Sequence, residues 1–221
     1  LKNVSLEIYT GEIHALIGEN GSGKSTLMKI IAGVYKYDKG EMYLDGNIVK
    51  DWNALISQKQ GIFPIYQELS LFPDLNVAEN IFLSHEQFTK SGIIRWRYVF
   101  KETNKILNYL GVNNIDPKTL VENLSVSQRQ IVEIARALSS SKVNILLMDE
   151  PTSALSIEEV DNLFNVINQL KKGGIGIIFI SHKLEEVFQI ADKITVLRDG
   201  EHIGSRKIKE TNKEDLIKMV I

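Results

Sequence analysis

Residues Gly18 to Ser25 read Gly-Glu-Asn-Gly-Ser-Gly-Lys-Ser, a complete G-x-x-x-x-G-K-[ST] pattern. Residues so spaced suit the cradling of a polyphosphate. Three glycines let the chain wrap tightly so that backbone N–H groups converge on an anion, and a helix starting behind them adds its positive dipole end. The cradle comprises Gly18, Glu19, Asn20, Gly21, Ser22, Gly23, Lys24, Ser25 and Thr26. Lys24 is expected to reach the β- and γ-phosphates, and the Ser25 hydroxyl to ligate Mg²⁺.

A second group of chemically capable residues is Asp149-Glu150, which closes the apolar run Ile145-Leu146-Leu147-Met148. Carboxyl ends of strands are where open α/β sheets bind ligands, so both carboxylates are expected beside the cradle. Asp149 suits a Mg²⁺ contact, and Glu150, one residue further, suits polarising the water that attacks a γ-phosphate. His182 follows the apolar run Ile175 to Ile180 and is expected at the same sheet edge. In Leu124-Ser125-Val126-Ser127-Gln128, Ser125 and Gln128 have the spacing of a capping box. That is an ordinary helix start, or equally a helix N-terminus offering hydroxyl and N–H donors to an anion.

The elements that must position these groups follow from hydrophobic period and turn chemistry. Alternation over Val4 to Tyr9, the Thr10-Gly11 turn and the run Glu12 to Ile17 predict a hairpin ahead of the cradle. A helix is predicted from Lys24 to about Val34, and Asp45-Gly46 between Glu41–Leu44 and Asn47–Val49 predicts a further hairpin. Ile62 to Tyr66 reads as another apolar strand. From about Val77 to Ser140 the pattern turns helical, including Arg97 to Leu110 and Gln128 to Leu138. The β/α rhythm then resumes: strand Val143–Met148, helix Ile157–Leu170, strand Ile175–Ile180, helix Leu184–Ile190 and strand Ile194–Leu197. An Asp199-Gly200 hairpin and a helix from Lys213 to Val220 end the chain, and Lys171 to Gly174 reads as a linker. The expected fold is α/β, a phosphate-loop core with a mainly parallel sheet, an N-terminal antiparallel β layer and an inserted helical subdomain.

Bulk properties narrow the classes. At 221 residues the chain can bury a full core, and its zero cysteines exclude thiol catalysis and cysteine-ligated metal and fit a reducing compartment. No apolar stretch approaches the roughly 18 residues needed to span a bilayer, and no leader pattern opens the chain, so the polypeptide is expected to be soluble. A net charge of −2 and scattered lysines disfavour nucleic acid as a partner. The start at Leu1, directly in a strand pattern, suggests that the natural chain begins upstream.

Taken in order, Gly18–Ser25, Gln67, Leu124–Gln128, Ile145–Glu150 and His182 resemble the motif series of ABC transporter nucleotide-binding domains, over essentially the whole chain. The resemblance implies ATP and Mg²⁺ as ligands, held between the cradle of one domain and the Leu124–Gln128 motif of another. It implies that Gln67 senses Mg²⁺ and couples to a membrane subunit, that Ser125 and its neighbours close on the γ-phosphate in trans, and that His182 contacts the γ-phosphate. Ser153-Ala154-Leu155-Ser156 matches the family's dimer-contact loop. Catalytic roles fall to Glu150, His182 and Lys24, and metal contacts to Ser25, Gln67 and Asp149.

The wording of Gly11–Leu16, Met28–Tyr35, Gln67–Leu69, Val77–Leu83, Val132–Leu138 and Ile180–Val187 is similar to the first ATPase domain of bacterial monosaccharide importers of the ribose, galactose and xylose kind. That likeness implies an ATPase powering uptake of a ribose-like sugar from the cytoplasmic face of the membrane. Its implied partners are a second, fused ATPase domain, membrane permease subunits and, indirectly, an extracytoplasmic sugar-binding protein. It also implies a single ABC ATPase domain over 1–221, with a RecA-like core at about 1–76 and 141–221 and a helical subdomain at about 77–140. A runner-up is a regulatory or translation-associated ABC ATPase without a membrane partner. The chain departs from the family at Ser127, where Gly is usual, at Val126, where Gly is frequent, and at Ser156, where the family's contact loop ends in Asp. The aromatic residue that stacks on adenine would lie upstream of Leu1.

Overall fold

Ile-His-Ala-Leu-Ile forms strand β1 (Ile13–Ile17), and all five residues are buried. In the computed structural model, which describes residues 1–83, 89–90, 93–140 and 142–220, β1 lies inside a six-stranded sheet. The spatial order is β10 (Glu201–Lys207), β9 (Lys193–Arg198), β1, β8 (Gly176–Ile180), β7 (Ile145–Asp149) and β4 (Ile62–Ile65). Neighbours pair in parallel except β10, which folds back antiparallel on β9 through the Asp199-Gly200 turn. Complete burial of Gly-Ile-Ile-Phe-Ile in β8 is what a parallel strand covered on both faces requires.

The chain divides into two compact groups, Leu1–Tyr66 with Lys142–Pro151 and Gly174–Ile221, and Gln67–Ser141 with Thr152–Gly173. The sheet belongs to the first. Successive strand residues point to opposite faces, and the packing of β1 follows that rule. Leu16 joins Leu27 and Met28 of helix α1 (Lys24–Ile31) in a cluster that also holds Leu147, Ile178 and Leu197. Ala15 and Ile17 face the other way, onto Val187 and Leu216. These come from helices α7 (Leu184–Ile190) and α8 (Lys213–Val220). Each fully buried Leu, Ile or Met contributes about 1.5–3 kcal/mol of transfer free energy, so the cradle is fixed from both faces of the sheet.

The structure corrects several expectations. Val4 to Tyr9 is not a strand. Both edges of β1 are taken, by β8 and β9, so no edge remains for a hairpin partner. The alternation has another cause: Val4, Leu6 and Ile8 lay their apolar side on the cluster around Leu16. Helix α1 ends at Ile31, short of Val34, because Gly33 turns into the left-handed region at φ 74°. The Trp52 indole N–H meets the exposed helix end, 3.1 Å from the Ile30 carbonyl and 3.0 Å from that of Ile31. A short helix α2 (Ala54–Lys59), not anticipated from the sequence, follows with Asn53 as its N-cap. The Asp45-Gly46 hairpin forms as strands β2 (Tyr43–Leu44) and β3 (Asn47–Ile48).

The second group contains helices α3 (Val77–Phe82), α4 (Trp96–Tyr109), α5 (Val126–Leu138) and α6 (Ile157–Lys172). A small antiparallel pair, β5 (Thr89–Lys90) with β6 (Ile93–Ile94), interrupts the helical stretch. Lys171 and Lys172, read as linker from the sequence, continue α6 to its Gly173 cap. Buried Asn80 of α3 accepts from the Phe72 amide at 2.7 Å and donates to the Phe72, Leu75 and Asn76 carbonyls, which fixes the loop before the helix.

Candidate nucleotide-binding site

The loop from β1 to α1 is held by features that only its own residues supply. A Cβ on Gly18 would lie 2.1 Å from the Leu197 carbonyl oxygen and 2.5 Å from Ser22 Oγ, so this position admits glycine alone. Gly21 and Gly23 take φ of 83° and 101°, in the left-handed region that favours glycine. Gly23 opens α1 with no side-chain cap, so the first helical N–H groups keep their capacity for an external anion. The Ser22 hydroxyl is buried without a hydrogen-bond partner, a cost that an incoming acceptor would remove.

Lys24 is 6% exposed and folds back over the loop, its Nζ donating to the Gly18 and Glu19 carbonyls at 2.8 Å each. Burial pushes its pKa down, opposed first by Glu150 and then by Asp149. A buried ammonium hydrogen-bonded to loop carbonyls is a strong site for a negatively charged ligand. At the end of β7, burial pushes the Asp149 carboxyl up. A hydrogen bond from Ser25 opposes that shift, and the charge of Glu150 adds to it. A hydroxyl beside a partly buried carboxylate is a hard-oxygen pair that suits Mg²⁺, which in nucleotide sites takes one or two carboxylates and completes its shell with water and phosphate. Among the described residues no group of three or more His, Asp or Glu side chains could hold a metal ion.

Glu150 lies one residue past β7, at φ 47°. Its amide donates to the Ile180 carbonyl at 3.0 Å, which turns the backbone off the sheet and leaves the carboxylate toward the β8–α7 loop. There His182 Nδ1 lies 3.2 Å from Glu150 Oε1, with the imidazole 53% exposed and the carboxylate 20%. Buried Ser181 fixes that loop by accepting the Lys183 amide at 3.0 Å and donating to Glu186 at 3.0 Å. An open cleft of about 540 Å³ is lined by Gly18, Glu19, Asn20, Glu150 and His182. The first group therefore brings together the cradle, the Ser25–Asp149 pair and the Glu150–His182 pair.

Two further features escaped the sequence reading. Tyr66 follows β4, whose end lies level with that of β7; burial and then the charge of Asp149 push its phenol pKa up. The second is Glu159 in the second group. Gln67 is exposed at the beginning of that group, and Leu124 is buried there while Ser125 and Val126 are exposed. Ser125 caps α5 in a full capping box with Gln128. Ser156 caps α6 in the same way with Glu159, whose carboxylate also accepts the Ser127 hydroxyl at 2.7 Å. The Ser127 bond, followed by the Ser156 amide, holds the Glu159 carboxyl below its usual range. Ser-x-x-Glu at positions 156 to 159 is a legible capping-box signal. Its link to Ser127 is tertiary.

A doubly wound sheet whose central strand feeds a glycine-rich loop and an uncapped helix, with a carboxylate at the end of a neighbouring strand, defines the phosphate-loop nucleotide-binding class. A family model described as ABC transporter matches residues 1–153. The chain belongs to that family. It is 47% identical over its full length to a ribose import ATP-binding protein of Bacillus cereus and 49% identical to a xylose import ATP-binding protein of Thermoanaerobacter pseudethanolicus, spanning 44% of the length of each. It thus covers a little under half of these relatives. Among solved structures it resembles a nucleotide-free ATP-binding cassette of an ABC transporter, with TM-score 0.82 and 26% identity, covering 98% of this chain and 87% of that one. A dimeric, post-hydrolysis cassette with ADP and Pi gives TM-score 0.78 and 29% identity, covering 96% of this chain and 91% of the other.

Proposed function

We propose that this chain is a single ABC ATPase domain that binds and hydrolyses ATP to power import of a monosaccharide, ribose-like or xylose-like, through a membrane permease. The observation that carries the reading is the meeting of buried Lys24, the Ser25–Asp149 pair and the Glu150–His182 pair around one glycine-rich loop. In this reading the cradle Gly18–Thr26 takes the phosphates of ATP, and Lys24 exchanges its loop carbonyls for the β- and γ-phosphates. Ser25, Asp149 and Gln67 would hold Mg²⁺, which would supply charge neutralisation to the phosphates. Glu150 takes a proton from the attacking water and holds it against the γ-phosphate, while His182 orients Glu150 and contacts the γ-phosphate.

The motif Leu124–Gln128 acts on nucleotide bound by a second ATPase domain, fused in the full-length protein, so that ATP binding draws two domains together and hydrolysis releases them. The domain works at the cytoplasmic face of the membrane, with Gln67 and its neighbours passing the motion to the permease, and a sugar-binding protein delivers cargo on the far side. The import relatives support this assignment. The test is uptake of labelled pentoses by cells carrying the full-length protein or its Lys24→Ala variant as the sole copy. Uptake of one monosaccharide that is lost in the variant is the expected result. Equal uptake of every sugar by both would exclude the transport role.

A further inference from the structure

His182 lies on the bend between β8 and α7, and the residues on both sides of it are tied to one side chain. Glu186 Oε2 accepts the Ser181 hydroxyl at 3.0 Å, and Oε1 lies 2.9 Å from Lys183 Nζ. The Ser181 oxygen in turn accepts the Lys183 amide at 3.0 Å, which closes a turn around His182. Both bonds of Ser181 hold together, since its single proton goes to Glu186 and a lone pair takes the amide. Ser181 and Glu186 are both buried, so water does not dilute their bond. The Lys183 side chain is 39% exposed, and its ion pair holds the loop only weakly. Glu186 is itself anchored: the next residue, Val187, packs with Ala15 and Ile17 of β1, the strand that feeds the cradle. Position thus passes from the core beneath the cradle through Glu186 and Ser181 to His182.

We propose that Glu186 is a positioning residue for His182, holding through Ser181 the bend that sets the imidazole against Glu150 and the γ-phosphate. The inference rests on the role given to His182 above. The imidazole is more than half exposed, so little packing holds it and its place depends on the backbone that carries it. A shift of about 1 Å in a group that must meet the reacting atoms costs up to about 10²-fold in rate.

The experiment measures kcat and KM for ATP in the full-length protein carrying Ser181→Ala, Glu186→Ala, Glu186→Gln or His182→Ala, and with each of the first two changes added to His182→Ala. Tm and the imidazole Hε1 resonance of His182, assigned by its loss in His182→Ala, accompany each. Ser181→Ala and Glu186→Ala should each lower kcat about 10- to 10²-fold with KM near that of the wild type, and should move the His182 resonance. Neither should lower kcat further once His182→Ala is present. Glu186→Gln keeps an oxygen for the Ser181 hydroxyl and should leave kcat and the resonance near those of the wild type. Glu186→Ala also empties a buried position and can weaken the fold; Ser181→Ala removes one oxygen and decides the matter. Wild-type kcat or an unmoved resonance in Ser181→Ala, alongside a clear loss in His182→Ala, overturns the positioning role and leaves the role of His182 standing. Losses that persist in the His182→Ala background, or a Glu186→Gln rate as low as that of Glu186→Ala, overturn it as well. Wild-type kcat in His182→Ala overturns both.

Discussion

His14, the second residue of β1, is wholly buried and gives the sharpest prediction about stability. Its Nδ1 lies 2.8 Å from the Glu7 carbonyl and 3.1 Å from a Glu12 carboxylate oxygen, so Nδ1 carries the proton. Nε2 then accepts from the Thr195 hydroxyl at 2.7 Å, Thr195 accepts from Ser205 at 2.7 Å, and Ser205 accepts from His202 Nε2 at 3.0 Å. Burial, with Lys193 and His202 adding to it and the Glu7 carbonyl opposing it, lowers the His14 pKa from 6.5 to about 4. The folded protein therefore holds His14 neutral where the unfolded chain protonates it. Stability from this group is present above pH 6.5 and is lost as pH falls toward 4.

Between pH 7 and pH 4.5 linkage gives a loss of about 2 kcal/mol from His14 alone. Glu12 favours the imidazolium, which makes that an upper figure. The perturbation is His14→Gln, which keeps a donor for the Glu7 carbonyl and cannot titrate. Urea unfolding followed by far-ultraviolet circular dichroism at the two pH values gives the comparison. The variant should be less stable at pH 7, and its stability should fall between pH 7 and pH 4.5 by about 2 kcal/mol less than that of the wild type. An equal fall in both proteins would refute the buried neutral imidazole.

Gly18→Ala places a Cβ 2.1 Å from a main-chain oxygen of β9; it should destabilise the protein by about 1–3 kcal/mol in thermal unfolding and weaken ATP binding by calorimetry. Trp52→Phe removes the donor to the Ile30 and Ile31 carbonyls at the end of the cradle helix; chemical denaturation should register a cost of about 1–2 kcal/mol.

Much of the first group was legible because local chemistry and tertiary structure agree there. The apolar run of β1, the glycines of the loop and the start of α1 at Lys24 each specify the same turn, and the Asp45-Gly46 and Asp199-Gly200 turns pinned their hairpins. That Glu150 and His182 lie at one sheet edge was readable because each follows one of two neighbouring parallel strands; their 3.2 Å approach was not. Val4 to Tyr9 misled, since alternation also marks an extended segment with one face on a core, and periodicity does not say whether a strand edge is free to pair. Helix α2 was missed because six residues carry too little period, although Asn53 is a good N-cap. The Ser127–Glu159 bond joins residues 32 apart and leaves no local trace.

Release of γ-phosphate from ATP by the full-length protein with Glu150→Gln is the most direct measurement of the proposed chemistry. The change keeps the side chain's size and its contact with His182 while removing the base. The account predicts ATP affinity near that of the wild type and turnover lowered about 10²–10⁴-fold. Unchanged turnover at unchanged affinity would contradict it.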